Sequence, residues 1–335
     1  LMQLSSQLVQ RCADRFHSYE RLLAFGAPDA SVLTNIKAHA AASYDYKHYQ
    51  QSLNHVENAF FGLPTSDAQY DAVLVFVPKA KEELKFTLAA LTPLLEKGGD
   101  IFLVGEKKGG VASAAKQLAS LGEDASKIDA AKHSQLWHVT LEQAVKPFVL
   151  SDWFEDYTIK IAETDLILSC LPGVFSYGRL DEGTALLLEH LPKKLRGRVL
   201  DFACGNGVIG LVAKQRWPEI ELEQVDVSWL ALECARRGAQ LNGLETKVYA
   251  SDGWSEVQGR VNAVLTNPPF HEGVKTAYDT TENFIAQSPQ KLSKSAPVFL
   301  VANNFLRYPA LIEKSLGSCK VVAENARFRV YSAYR

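Results

Sequence analysis

The sequence predicts two tandem Rossmann-like α/β domains related by duplication, with a degenerate N-terminal copy. Its 335 residues are 47% hydrophobic and 22% charged, which is enough apolar material for two globular cores. In the second half, strand-like apolar runs alternate with helical patterns, a rhythm typical of a parallel sheet covered by helices. Three of these runs have counterparts in the first half, in the same order.

The three matching pairs predict the duplication. In each half, a helical pattern of similar length separates the second and third segments, as expected for a repeated domain. The pairs are residues 22–25 with 199–202 (LLAF and VLDF), 70–74 with 261–265 (YDAVL and VNAVL), and 101–104 with 298–301 (IFLV and VFLV). We place the first domain at residues 1–150 and the second at residues 151–335.

Local patterns predict the other elements of the first half. A helical pattern from Leu4 to Phe16 leads into the strand at 22–25, which ends in a turn at Gly26. Residues 31–65 show no clear pattern. The strand that starts at Tyr70 precedes a helix from Glu82 to Leu95, and another strand follows at 101–105.

The second half starts with a linker and a hairpin. The linker spans residues 147–156, and residues 157–161 and 166–170 alternate apolar and polar side chains as two hairpin strands do. A helix begins near Asp181. Strands and helices then alternate at 198–202, 208–216, 220–225, 228–240, 246–250 and 261–266. Ligands of such sheets bind at the carboxyl ends of the strands.

Composition restricts the function classes. The five cysteines form no CxxC pair and the eight histidines show no ligand spacing, so we predict neither a disulfide framework nor a metal site. No apolar run reaches the roughly 18 residues of a membrane span, and the first residues lack the pattern of a signal peptide, so we expect a cytoplasmic protein. The net charge of −2 gives no global basic field, although basic clusters occur at 193–198 and 327–335. Charge therefore does not identify a partner.

The chemistry is concentrated in Asn267-Pro268-Pro269-Phe270, directly after the buried strand at 261–266. An exocyclic amine on a planar base is a poor nucleophile, because its lone pair is delocalised into the ring. The side-chain oxygen of Asn267 and the carbonyl of Pro268 can accept both amine hydrogens and favour rehybridisation of that nitrogen. The two prolines fix φ and stiffen the turn. Phe270 offers a face on which an extruded base can stack.

A second set of residues predicts a nucleoside pocket at the same edge of the sheet. Four consecutive strands each end in a polar side chain: Asp201, Asp226, Asp252 and Asn267. Asp201 can accept from a ligand ammonium, Asp226 from both hydroxyls of a ribose, and Asp252 from the adenine N6 amine. Gly205 and Gly207 let the backbone pass close to the ligand. The loop lacks the third glycine that a dinucleotide pyrophosphate needs, which argues against a dehydrogenase.

The first copy lacks these chemical groups. Phe76-Val77 stands opposite Asn267-Pro268, so the amine acceptor is missing. Ala24 stands opposite Asp201, so the acid at the strand end is missing as well. We therefore predict that the N-terminal domain is a non-catalytic partner of the second one.

With its Asp-x-x-Cys-Gly-x-Gly loop, acidic strand ends and Asn-Pro-Pro-Phe motif, the second half resembles a class I S-adenosylmethionine-dependent methyltransferase. The duplication and the segment LPGVFS at 171–176 make the whole chain similar to the bacterial small-subunit ribosomal RNA guanine-N2 methyltransferase C family. The resemblance implies S-adenosylmethionine as cofactor. It also implies methyl transfer to the N2 amine of one guanine of 16S rRNA, in the 30S subunit.

Further expectations follow from this resemblance. Ser176 and Thr184 would line the cofactor pocket, together with the loop residue Cys204, which we expect to pack rather than to act as a nucleophile. The N-terminal domain would stabilise the chain or bind RNA, and the protein would be a monomer. His271 lies next to the motif, and the sequence leaves its role open.

Other functions also stay open at this point. The motif specifies amino methylation but not the base, so a large-subunit rRNA guanine, a DNA adenine and a release-factor glutamine are alternative acceptors. A non-catalytic RNA-binding assembly protein is an alternative of a different class. None of the other acceptors explains a duplicated and degenerate first half, and the intact motif argues against a catalytically idle protein.

Overall fold

A computed structural model of the chain describes residues 1–174, 178–269 and 274–335, with the side chains of the last range from residue 279 onward. The chain divides into two compact units, Leu1–Trp153 and Phe154–Arg335. Each unit contains one seven-stranded sheet, and the second also contains a two-stranded hairpin. No helix within the described ranges is both long and apolar enough to cross a membrane.

The first unit alternates strands and helices, because apolar runs with covered faces form central parallel strands. Its elements are α1 (Leu4–Arg11), β1 (Leu22–Phe25), α2 (Ser31–Asn35), β2 (Ala40–Ser43), α3 (Tyr46–Ser52), β3 (Asn58–Phe61), β4 (Tyr70–Phe76), α4 (Lys81–Leu91), β5 (Leu95–Glu106), α5 (Val111–Ala114), β6 (Ser126–Ala131) and β7 (Ser134–Thr140). The sheet order is β3-β2-β1-β4-β5-β7-β6. The first five strands run parallel, and β7 is antiparallel to both of its neighbours.

The second unit starts with the predicted hairpin and continues as a second alternating domain. Its elements are β8 (Glu155–Ile161), β9 (Thr164–Cys170), α6 (Glu182–Glu189), β10 (Arg198–Phe202), α7 (Val208–Arg216), β11 (Glu221–Asp226), α8 (Trp229–Leu241), β12 (Lys247–Ala250), β13 (Ala263–Thr266), α9 (Val274–Lys291), β14 (Pro297–Asn303), α10 (Tyr308–Leu316), β15 (Lys320–Glu324) and β16 (Phe328–Tyr334). The sheet order is β12-β11-β10-β13-β14-β16-β15. The strands from β10 to β14 run parallel as predicted, whereas β16 is antiparallel to β14 and β15.

The two sheets have the same strand order, which confirms the predicted duplication. Their central registers also agree. Phe25 of β1 pairs with Ala42 and Val75, just as Phe202 of β10 pairs with Val225 and Thr266. The first and second halves can therefore be compared residue by residue at the carboxyl edge of each sheet.

This comparison confirms that the N-terminal copy is degenerate. Ser43 follows Ala42 in the first sheet where Asp226 follows Val225 in the second. In the same way, Phe76 follows Val75 where Asn267 follows Thr266, so Ser43 and Phe76 occupy the positions of Asp226 and Asn267. The first unit thus keeps the apolar framework of the sheet but carries neither the acid nor the amide at its edge.

Some elements differ from those predicted. The segment 31–65, for which the sequence predicted no element, contains α2, β2, α3 and β3. Helix α4 ends at Leu91 rather than at Leu95, because Pro93 has no N–H to continue it and the chain makes a short 3-10 turn before β5. The strands β6 and β7 pair antiparallel in the first sheet, and so do β15 and β16 in the second, so neither sheet is wholly parallel.

Apolar side chains cover both faces of the second sheet. Alternate residues of a strand point to opposite faces, so Leu200 and Val264 join one core cluster, whereas Val199 and Leu265 join the other. Burial on both faces holds the central strands in one register. That register places the strand ends described next.

Candidate active site

The polar residues predicted at the strand ends of the second unit come together at one edge of its sheet. Asp226 is the last residue of β11, and Asn267 directly follows β13. Since Phe202 pairs with Val225 on one side and with Thr266 on the other, Asp226 and Asn267 leave the sheet at the same level. Asp252 was predicted to end its strand, but β12 already ends at Ala250 and Asp252 lies in the turn that follows.

Asp201 is completely buried inside β10, where it organises the glycine loop. Its Oδ2 atom accepts hydrogen bonds from the backbone N–H of Gly210 and from Nε2 of Gln224, both at 2.9 Å. Gln224 Nε2 also donates to the carbonyl of Gly207 at 2.9 Å. The Asp201 carboxylate therefore fixes the loop and the start of α7 through a buried network.

Burial raises the pKa of Asp201 to about 7, because a carboxylate loses its hydration inside the protein. The hydrogen bonds from Gln224 and Gly210 act in the opposite direction. Oδ1 of Asp201 is buried and has no hydrogen-bond partner among the residues that the structure describes. An unpaired buried acceptor is costly, so this atom is a candidate for a ligand contact.

Asp226 supports the same loop from the neighbouring strand. Its Oδ2 accepts from the backbone N–H of Gly205, and its Oδ1 accepts from the N–H of Ser228, both at 2.9 Å. Gly205 has φ +54°, and a Cβ built on it would meet no atom within 4 Å. The half-buried Asp226 thus contacts a bent segment of backbone beside an open space.

Gly207 and Cys204 have packing roles in this loop. Gly207 has φ +88°, a left-handed conformation that favours glycine, and a Cβ there would lie 3.0 Å from Nε2 of Gln224. Cys204 is buried, and burial raises the pKa of its thiol well above the ordinary value. The thiol therefore stays protonated at neutral pH, as expected for a packing residue rather than a nucleophile.

The side-chain amide of Asn267 is held in one orientation. Its Nδ2 donates to Oδ2 of Asp181 and to Oγ1 of Thr184, each at 3.0 Å. A carboxylate only accepts hydrogen bonds, so the NH2 group must face Asp181 and the amide oxygen must point the other way. None of the described residues donates to Asn267 Oδ1. The amide therefore presents a bare acceptor.

Asp181 is a site residue that the sequence analysis missed. It is the N-cap of α6, and its Oδ2 accepts from the backbone N–H of Thr184 at 3.0 Å. The sequence indicated a helix start here, but a helix cap alone does not reveal a contact with residue 267. Thr184 was expected to line the cofactor pocket, and the structure places its buried hydroxyl beside Asn267.

The turn after Asn267 is anchored by its neighbours. Oγ1 of Thr266 donates to the carbonyl of Phe202 at 2.7 Å, which ties the end of β13 to the end of β10. Pro268 is buried and Pro269 is exposed. The remaining predicted site residues Ser176 and Phe270, and the neighbouring His271, lie outside the described residues.

An aromatic stack supports the turn that carries Asp252. The ring of Phe284 lies 3.7 Å from that of Phe202 and 4.4 Å from that of Trp254, and all three rings are nearly parallel. Nε1 of Trp254 also donates to the carbonyl of Phe284 at 2.9 Å. These contacts place the turn at 251–256 against the end of β10, which compensates for the short β12.

The hairpin β8–β9 supports the glycine loop from outside the sheet. Nδ2 of Asn206 donates to the hydroxyl of Tyr157 at 2.8 Å. Asn242 lies at the end of α8, and its Oδ1 accepts from the backbone N–H of Ile167 in β9 at 2.9 Å. Its Nδ2 donates to the carbonyl of Ile167 at 2.6 Å. The sequence predicted the hairpin but not this contact between it and the candidate pocket.

Two family models match the chain. One, the Methyltransferase small domain, covers residues 165–332, and the other, the Methyltransferase small domain N-terminal, covers residues 6–157. A ribosomal RNA small subunit methyltransferase C of Stutzerimonas stutzeri is 41% identical, and the alignment covers 98% of each chain. The chain belongs to the ribosomal RNA small subunit methyltransferase C family. A family relative from Hahella chejuensis is 46% identical over 81% of this chain and 79% of its own length.

A solved structure agrees with this family membership at the level of the fold. It is a T. thermophilus 16S rRNA N2 methyltransferase in complex with AdoMet and guanosine. It matches with a TM-score of 0.86 and 22% identity, and the match covers 99% of this chain and 92% of that chain. The two-domain methyltransferase fold predicted from the sequence is therefore confirmed. Within the described ranges, no group of three or more His, Cys, Asp or Glu side chains is arranged to hold a metal ion.

Proposed function

We propose that this protein transfers the methyl group of S-adenosylmethionine to the exocyclic N2 amine of a guanine in 16S rRNA, within the 30S subunit. Family membership supports the reaction and the substrate class. The observation that supports it most directly is the Asn267 amide, whose two hydrogens are engaged by Asp181 and Thr184. The remaining oxygen is an acceptor suited to an amine.

The residues at the edge of the second sheet fit S-adenosylmethionine. An open space lies beside Gly205, where the bent backbone leaves room for a ligand. Asp226 is fixed at that space by the N–H of Gly205 and is assigned to the ribose hydroxyls. Asp252 is assigned to the adenine amine. The unpaired Oδ1 of Asp201 is assigned to the ammonium of the methionine part, directly or through water.

Bound S-adenosylmethionine supplies a methyl group on a positively charged sulfur, which needs no further activation. Asn267 Oδ1 and the carbonyl of Pro268 accept the two N2 hydrogens and direct the nitrogen lone pair toward the methyl carbon. The new N–C bond forms as the C–S bond breaks, and the amine proton leaves to solvent. Orientation and proximity provide the rate enhancement, so no strong general base is needed. Phe270 keeps the base-stacking role that the sequence predicts.

We also propose that the first unit, residues 1–150 by the sequence division, is non-catalytic and either stabilises the second or binds RNA. Phe76 in the place of Asn267 removes the amine acceptor, and Ser43 in the place of Asp226 removes the ribose acceptor. From the family membership we further propose a cytoplasmic monomer that acts on ribosomal subunits.

A labelling experiment tests the proposed function. The protein is incubated with tritiated S-adenosylmethionine and, in separate reactions, with unmodified 30S subunits, free 16S rRNA, DNA and a release factor. Asn267→Ala removes the amide, and Asn58→Ala in the first unit is the matched control. We expect label in a 16S rRNA guanine with the parent and the control, and none with Asn267→Ala.

Other outcomes contradict the proposal at different levels. Label in DNA or in the release factor would keep the fold and the cofactor but change the substrate. Label retained by Asn267→Ala would remove the proposed role of the amide. No label in any reaction, together with no cofactor binding by calorimetry, would refute the proposed enzyme activity.

A further inference from the structure

A groove of about 800 Å³ lies at the amino edge of the second sheet, opposite to Asn267. One wall is the segment 190–197, between α6 and β10, and the other is the segment 293–297, which leads into β14. Side chains of β14, β15 and β16 form the floor. The groove is separate from the candidate active site, because β14 has seven residues and spans about 20 Å from one edge of the sheet to the other.

The charge of this groove has a single sign. Its five lining cations come from three segments of the chain and are all exposed: Lys193, Lys194, Arg196, Lys294 and Lys320. No Asp or Glu is found among the described residues that line it. Within the described part of the chain, none of the five side chains forms an ion pair or a hydrogen bond. Like charges brought together without counter-charges repel one another, so the arrangement costs stability unless an anion binds.

Several arginines elsewhere in the same unit do have a carboxylate partner. Four arginines outside the groove each contact a carboxylate at 2.6–3.0 Å: Arg198 with Glu223, Arg236 with Glu233, Arg237 with Asp156, and Arg329 with Glu324. A carboxylate therefore offsets the charge of each of these four arginines. In the basic groove, defined by its five cations, no carboxylate of a described residue does so.

The floor of the basic groove adds an aromatic surface. Tyr334 of β16 is 52% exposed and lines the groove, next to the buried Phe299 of β14. A row of cations that follows a phosphate backbone, combined with an exposed aromatic ring on which a base can stack, is the usual composition of a surface that binds single-stranded nucleic acid. Several separated cations suit several phosphates of one chain better than they suit one small anion.

We propose that the basic groove binds the phosphodiester backbone of the substrate RNA at a site remote from the target guanine. The choice of RNA rests on the proposed function, because the same second unit carries the amine-binding edge. Since the groove and that edge lie at opposite ends of the strands, the groove holds a different segment of the RNA from the one that enters the active site. The groove increases the affinity for the RNA and positions the protein along it, and it takes no part in methyl transfer.

Matched variants test this inference. Lys194→Gln, Lys294→Gln and Lys320→Gln are combined in one protein, which removes one cation from each segment of the groove. The control combines Lys160→Gln, Arg236→Gln and Lys247→Gln, which removes the same charge from the β8, α8 and β12 side of the unit. Binding to an unmodified 16S rRNA transcript is measured without cofactor over a range of salt concentrations.

We expect the groove variant to bind the transcript about tenfold or more weakly at 0.1 M salt. The slope of log affinity against log salt should fall by about 2, because about three phosphate contacts are lost. The control should keep the affinity and slope of the parent. The melting temperature of the groove variant should equal or exceed that of the parent, since repulsion is relieved, and this would exclude unfolding as the cause of weaker binding.

Equal affinity and slope in the two variants would overturn the basic groove as an RNA site. Loss of binding to vesicles of phosphatidylglycerol, with RNA binding unchanged, would overturn it in favour of a membrane surface. These readouts do not depend on catalysis. A parent that methylates 16S rRNA while both variants bind it equally would refute the groove alone, whereas a parent that methylates no rRNA would refute the proposed function.

Discussion

Replacing Asp181 with serine tests whether the Asn267 amide must be held in one orientation. Serine is a good N-cap, so it can still accept from the backbone N–H of Thr184 at the start of α6. Its side chain is too short to reach Nδ2 of Asn267, which Asp181 contacts at 3.0 Å. The change therefore removes the orienting contact and keeps the helix cap.

The expected loss follows from this contact. A hydrogen bond to a charged group contributes about 1.5–3 kcal/mol, and the lower part of that range applies because Asp181 is only partly buried and Thr184 still holds the amide. At about 1.4 kcal/mol for each factor of ten, we expect kcat to fall roughly ten- to thirtyfold. The free energy of unfolding should change by less than about 0.5 kcal/mol, since the cap is kept.

The assay is methyl transfer from labelled S-adenosylmethionine to 30S subunits, with cofactor binding measured by calorimetry and stability by urea unfolding. Asp181→Asn serves as the conservative control, because its amide oxygen can still accept from both partners and should restore most of the rate. A serine variant with the kcat of the parent would refute the orienting role. A rate loss explained entirely by weaker cofactor binding or by unfolding would refute it as well.

Three further predictions concern the scaffold of the site. Burial raises the pKa of Asp201 to about 7, so the parent protein loses stability as the pH rises from about 4 to about 7. Over that range, the free energy of unfolding of Asp201→Asn, measured with urea, should rise by on the order of 4 kcal/mol relative to that of the parent. A difference between the two proteins that stays constant with pH would contradict this prediction. Gly205→Ala should cost only about 1–2 kcal/mol in backbone strain, but it should weaken cofactor binding measured by calorimetry. Gly210→Ala should instead destabilise the fold by about 1–3 kcal/mol in thermal unfolding, because its Cβ would lie 2.6 Å from the buried side chain of Gln224. Asn242→Ala should remove hydrogen-exchange protection at Ile167, since the two bonds that hold β9 to α8 are lost, and unchanged protection would show that the hairpin is held otherwise.

The duplicated fold was predictable because its strongest signals lie in the central strands. Within the matched segments, residues 72–74 (AVL) and 263–265 (AVL) are buried throughout, and an uninterrupted apolar run in a sequence indicates such a strand. The strands β2 and β3 were missed. Each has only four residues, and β3 is half-buried throughout, so their positions depend on pairing beside β1 rather than on a local pattern.

Some residues of the candidate site could likewise be located from the sequence, whereas others could not. Asp226 and Asn267 were located from the sequence, because each directly follows or ends a recognisable strand and parallel strands end at a common edge. Asp181 was missed because it lies 86 residues from Asn267, and a helix cap carries no mark of a distant partner. The basic groove was visible only as a local run at 193–198, since Lys294 and Lys320 join it through the fold.

The sequence by itself determined the two-domain α/β architecture, the loss of chemical groups in the first copy and the residues at the strand ends. These features are encoded by hydrophobic periodicity and by residue types next to it, which are local properties of a chain. Only the tertiary structure decided that Asn267 presents its oxygen, that Asp201 is buried beneath the loop, and that the cations of the basic groove have no carboxylate partner among the described residues. Orientation, burial and charge neutralisation arise from contacts between segments far apart in sequence, and these contacts exist only once the sheet has formed.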